Sequence, residues 1–172
     1  MEKNRNPWSV PVALDDIPDT GLHVELDAPE SVRSDLVRLA NLRELPRLFA
    51  EFDLARRGAG LRVTGRVIAR VGQTCVVTLE PVENDLVEPV DLIFNQTPSE
   101  AQSAKTSEGE EPPELLVDGK LDLGVVATEF LLLGIDPYPR KIGAEFTAVK
   151  ADHGKARPFA ALEELKKRLG SG

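Results

Sequence analysis

The chain has 172 residues, 41% of them apolar, and a formal net charge of −8. That length suits one domain with a proper core, and the acidic total argues against binding nucleic acid with the whole surface. No apolar run approaches the length that spans a bilayer, Met1 to Trp8 holds no apolar leader core, and the single Cys75 cannot form an internal disulfide. These features point to a cytoplasmic protein.

The charge is unevenly spread. Glu83 to Asp122 carries 11 acidic residues against 2 basic, whereas Tyr138 to Gly172 carries 8 basic against 4 acidic. A solubilising acidic surface with a basic end accounts for the pattern without a ligand.

In chain order, Trp8, Val10, Val12 and Leu14 alternate as in a short strand, and Pro7 and Pro11 suit an edge. Leu22, Val24 and Leu26 predict a second strand. Asp27 and Glu30 have capping-box spacing, Pro29 suits a first turn, and Val32, Leu36 and Leu39 share a helical face. Leu48 to Leu54 and Leu61 to Val71 then alternate apolar with charged residues. A two-residue turn at Gly58-Ala59, with glycine first, fits type II′. It sets Leu54 opposite Val63, Ala50 opposite Val67, and Glu51 opposite Arg66, so both apolar faces coincide. Gln73 to Leu79 reads as a third strand and Leu86 to Phe94 as a fourth, completing an antiparallel meander.

Residues 96–113 hold Ser, Thr, Glu, Gly and two adjacent prolines with almost no large apolar group, which predicts a disordered loop. Leu121 to Ile135 is a dense apolar run that predicts a buried helix, ended by Pro137 and Pro139. Pro158 could open a last helix in which Phe159, Leu162, Leu165 and Leu169 share a side, with Lys166, Lys167 and Arg168 at its C-terminal end. The expected fold is α+β: a curved antiparallel β-sheet, barrel-like at the extreme, with about three or four helices. The expected organisation is a single α+β domain over 1–150, then a flexible linker and short amphipathic C-terminal helix over 151–172.

The chain offers little for chemistry. His23 and His153 stand in no motif, and Cys75 falls on the inward parity of its expected strand, as a buried, inert thiol would. No phosphate loop and no paired acid and base stand out, so no catalytic residue is assigned. Glu129, inside the apolar helix, requires an ion pair or a place at the helix edge. Arg62, Arg66 and Arg70 fall on one strand face and form the best candidate for an RNA-facing patch. Glu51 and Asp53 would partly neutralise them, no aromatic residue interleaves, and Arg66 is expected to pair mainly with Glu51. Phe159, Leu162, Leu165, Lys166, Lys167 and Arg168 are the candidate partner-binding residues. Their stripe either packs on its own domain or docks on a partner, and the second is the reading favoured here.

Three segments, in order, resemble the YceD family of large ribosomal RNA subunit accumulation proteins. Val63 to Val82, VTGRVIARVGQTCVVTLEPV, is similar to the family's segment ending in a Cys-x-x-Cys-Leu-Glu-Pro type motif. Leu121 to Pro139, LDLGVVATEFLLLGIDPYP, is similar to its Leu-rich helix with a Pro-x-x-Pro end. Arg157 to Lys166, RPFAALEELK, resembles its Asn-Pro-Phe-Ala-x-Leu-x-x-Leu-Lys ending. Many members also look as though they hold a structural zinc. Here Cys75 matches the first cysteine, but Thr78 stands at the second, and Arg140 to Phe146 supplies no Cys or His. One thiolate cannot hold a four-ligand zinc, so a metal-free protein without cofactors is expected. The resemblance implies no catalytic activity. It implies a role in accumulation of large-subunit ribosomal RNA, with a large-subunit ribosomal component or assembly factor, protein or rRNA, as partner. The competing readings are a small cytoplasmic enzyme of unknown chemistry and a generic protein-interaction module.

Overall fold

A computed structural model of the chain describes residues 6–95, 114–116 and 118–145. The expected loop at 96–113 and the expected C-terminal linker and helix lie outside the described residues. Within them the elements run β1 (Pro11–Ala13), a 3-10 turn (Leu14–Asp16), β2 (Leu22–Asp27), α1 (Glu30–Leu39), β3 (Glu44–Arg57), β4 (Gly60–Thr74), β5 (Pro81–Asn95), β6 (Glu114–Leu115), β7 (Lys120–Asp122) and α2 (Leu123–Gly134).

The framework is a five-stranded sheet in the order β2-β3-β4-β5-β6, antiparallel except where β6 runs parallel to β5. The hairpin forms in the register read from the sequence: Leu54 pairs with Val63, Ala50 with Val67, Glu51 with Arg66, and Arg57 with Gly60. Gly58 takes φ +61° and leads the two-residue loop, as a type II′ turn requires. Period-two alternation then sends Leu48, Ala50, Phe52 and Leu54 of β3, Leu61, Val63, Val67, Ala69 and Val71 of β4, and Leu86, Val90 and Phe94 of β5 to one buried face. Leu36 of α1 and Leu123, Val126, Ala127 and Leu131 of α2 close over that face in the same core cluster. The result is two layers, sheet and helices, around one core.

Several expectations are corrected. The sheet is open, not a barrel: β2 ends it on one side, and the two-residue β6 ends it on the other. Two α-helices occur among the described residues rather than three or four. The third strand expected at Gln73 to Leu79 is absent. Strand β4 instead continues unbroken to Thr74, and Cys75 to Thr78 form a turn after which Leu79 has φ +61°. Asp27 is the last residue of β2, and α1 has Pro29 at its N-cap with no side-chain cap. Only Leu36 of the expected α1 stripe is fully buried, while Leu39 is exposed.

The apolar run at 121–135 splits between two structures. Its start, with Lys120, forms β7, which pairs antiparallel with β1 through Pro11–Asp122, Val12–Leu121 and Ala13–Lys120. The helix begins at Leu123 because Asp122 caps it. Its Oδ1 accepts from the N–H groups of Gly124 (3.0 Å) and Val125 (3.3 Å). The same carboxylate accepts from Val10 N–H at 2.7 Å and from the Ser9 hydroxyl at 2.5 Å. One side chain thus starts α2 and ties the N-terminal segment to it. Asp122→Ala should cost about 2 kcal/mol, the upper end for a lost N-cap, read as a lowered urea midpoint. A loss below about 0.5 kcal/mol would show that the cap does not hold these segments.

Candidate functional site

The outer face of the sheet carries the arginine row. Because β4 alternates, Arg62, Arg66 and Arg70 all point away from the core. The register places a carboxylate beside each. Asp91 meets Arg62 through two hydrogen bonds, Nε at 2.9 Å and an Nη at 2.7 Å. Asp85 meets Arg70 in the same forked way, at 2.7 and 2.9 Å. Arg66 Nε lies 2.7 Å from Glu51 Oε1, the pairing read from the sequence. Asp53, the other expected neutraliser, pairs instead with His23, Nδ1 to Oδ1 at 2.7 Å.

This pairing decides what the row can do. A guanidinium held in a fork by a carboxylate must give that up to grip a phosphate. The Arg62 hydrogen bond holds the Asp91 carboxyl below its ordinary value, and Arg70 does the same for Asp85. Asp53 raises His23, chiefly through their hydrogen bond. Between the charged rows, Phe49, Ile68 and Val87 align across β3, β4 and β5, and the Arg47 guanidinium carbon stands 5.9 Å from the Phe49 ring centroid. The Arg66–Glu51 pair is half exposed, so Arg66→Ala should change stability by less than about 1 kcal/mol. Chemical denaturation reads this directly, and a larger loss would mean that the pair supports the sheet.

Cys75 occupies the second notable position. It is fully buried as expected, but in a turn rather than a strand. Its Sγ accepts from the backbone N–H of Thr78 at 3.4 Å and of Lys141 at 3.3 Å. Lys141 lies far along the chain, in the segment after α2. That segment is pinned here again by Val76 N–H donating to Pro139 O at 2.9 Å and by Lys141 Nζ at 3.1 Å from Glu80. The Thr78 hydroxyl first, then the Lys141 and Thr78 amides, lower the thiol from its ordinary 9.0 to about 6, against the opposing effect of burial. Hydrogen bonds to the thiolate form are the cause.

A depressed folded-state pKa contributes stability that is fully present above the unfolded value of 9.0 and is lost as pH falls through about 6. The wild-type protein should therefore gain stability from this group between pH 6 and pH 9, and Cys75→Ser should lack that gain. Urea midpoints across that window test it. Parallel pH profiles for the two proteins would contradict a thiolate in the turn.

The turn does not fit a zinc ion. The groups that reach Sγ are two backbone N–H donors and the Thr78 hydroxyl, none of them a usual zinc ligand, and no three His, Cys, Asp or Glu side chains come together among the described residues.

The remaining sequence candidates are placed as follows. Glu129 is exposed at the edge of α2, and partial burial, then Glu114, raises its pKa. Phe159, Leu162, Leu165, Lys166, Lys167, Arg168 and His153 lie outside the described residues. Sequence reasoning missed Asp85 and Asp91 as partners of the arginines. Continuing the meander register across a tight turn after Thr74 would have found them. It also missed Lys141 beside Cys75, for which no local pattern exists.

The geometry defines an α+β protein with an open, mainly antiparallel sheet, an ion-paired outer face, and a cysteine-centred turn clamped to the segment after α2. Over residues 63–166, more than half of the chain, the sequence matches the family described as large ribosomal RNA subunit accumulation protein YceD, and the chain belongs to that family. That span takes in most of β4, the cysteine turn, β5 and α2. No curated protein and no solved structure matches the chain. No helix among the described residues is long and apolar enough to cross a membrane.

Proposed function

We propose that this chain is a non-enzymatic cytoplasmic factor in production of the large ribosomal subunit. It supports accumulation of large-subunit ribosomal RNA by binding a ribosomal protein, an assembly factor or the rRNA. The observation that carries this reading is the family match over residues 63–166, whose description names that role. The ion pairs of Arg62, Arg66 and Arg70 favour a protein partner over phosphate contacts on the sheet face. The partner-binding element in this reading is the C-terminal stripe of Phe159, Leu162 and Leu165 with Lys166, Lys167 and Arg168.

Gradient sedimentation of cell extract tests the proposal. The protein should migrate with precursors of the large subunit, and a metabolic enzyme would stay at the top. Replacing Arg62, Arg66 and Arg70 together by glutamine should leave that migration intact. If migration is lost while the fold survives, the sheet face contacts RNA after all.

A further inference from the structure

Strand β2 closes the sheet on one side and, among the described residues, pairs with β3 alone. Every second residue of an edge strand turns its N–H and C=O outward, and no described group bonds to those of β2. Edges are commonly blunted by proline, lysine or a bulge. Leu22–Asp27 contains no proline or lysine, and its ladder runs from Leu22–Leu54 to Asp27–Phe49 without a register shift. The other side of the sheet is guarded: β6 pairs with the end of β5, and Pro89 interrupts the donors of β5.

The two faces of β2 define what fits beside it. On the core side Leu22, Val24 and Leu26 pack against the core yet stay half-buried, so apolar side chains of a further strand would extend that core. On the outer side His23, Glu25 and Asp27 are exposed. Glu25 lies directly opposite Glu51, a like-charge pairing that weakens a ladder. Arg66 compensates Glu51 at 2.7 Å, whereas Glu25 has only His23 Nε2 at 3.7 Å, and Asp27 has no ion pair among the described residues.

We propose that the β2 edge accepts an extended segment of a partner protein in which lysine or arginine alternates with apolar residues. Main-chain bonds along β2 supply affinity, and the alternating side chains select the partner. Its cations lie beside Glu25 and Asp27 and relieve the repulsion between Glu25 and Glu51. Its apolar residues lie beside Val24 and Leu26. The inference goes beyond the proposed function and does not rest on it, because purified protein and a synthetic peptide test it.

The probe is a peptide of about seven residues that alternates lysine with valine, added to the isotope-labelled full-length chain. Before addition, alternate amides of Leu22–Asp27 should exchange rapidly with solvent. The peptide should protect those amides and show Overhauser contacts from its α-protons to those of β2. Glutamate in place of lysine should weaken binding at least about tenfold, and N-methylation of alternate peptide amides should abolish it. Glu25→Lys with Asp27→Lys alters only exposed side chains, so the fold survives, and the preference should invert toward the glutamate peptide. Protection of every β2 amide before any peptide is added would overturn the proposal, because the chain would already cover its own edge. Concentration-dependent shifts in β2 without peptide would also overturn it, because a second copy would be the occupant. So would equal binding of the two peptides, binding of neither, or a preference that ignores the charge swap.

Discussion

Gly65→Ala should cost about 3 kcal/mol, the upper end for overpacking and a large share of the roughly 5–15 kcal/mol that holds a domain folded. Gly65 pairs with Phe52 across the hairpin. A Cβ at this position would stand 2.0 Å from Glu51 O and 3.0 Å from both Glu51 C and Phe52 Cα. All three are backbone atoms of β3, so no side chain can swing aside. Relief requires β3 to move away from β4 at the centre of the sheet, where Glu51–Arg66 and Asp53–Thr64 flank the site. Gly58→Ala is the control. Its φ is +61° but nothing lies within 4 Å of the added carbon, so it should cost only about 1–2 kcal/mol of backbone strain. Urea denaturation of both variants decides the matter. Equal losses would show that strain at positive φ, and not contact with β3, sets the need for glycine at 65.

Phe52→Ala should cost about 3–5 kcal/mol, the range for deleting a buried aromatic ring. Phe52 has no exposed surface and is the largest of the fully buried side chains. It stands between Val24 on β2 and Gly65 on β4, so its ring fills space that glycine leaves open on the core face. Removing it leaves a void flanked by two main chains that are fixed by their ladders. Phe49, three residues earlier, is the comparison. It points to the outer face beneath Arg47, and Phe49→Ala should cost no more than about 1.5 kcal/mol. Comparable losses for the two rings would contradict the assignment of faces.

The sequence was most legible where local rules act. The β3–β4 register follows from strict alternation plus a two-residue turn led by glycine, and both survive unchanged in the fold. Arg66 beside Glu51 follows from the same periodicity, and of the two arrangements open to Glu129, an ion pair or a place at the helix edge, the fold shows an exposed position. What stayed hidden depends on contacts between distant segments. Val76, Val77 and Leu79 look like the continuation of a strand, yet the cysteine turn takes their place and is bonded to Pro139 and Lys141. Leu121 looks helical beside its apolar neighbours, yet pairing with Val12 draws it into β7. Asp27 has the spacing of a cap but is used by β2, while Asp122, which does cap, is recognisable only once β1 is known to lie against it. The site was read in part. The arginines were found, but their carboxylates on β5 were not, because the misplaced third strand broke the register that leads from Thr74 to Pro81.

The central claim is that the chain supports accumulation of large-subunit ribosomal RNA. The most direct measurement is the ratio of large-subunit to small-subunit ribosomal RNA in cells from which the protein has been removed. The ratio should fall, and the wild-type gene should restore it. An unchanged ratio, in cells shown to lack the protein and growing under the same conditions, would contradict the account.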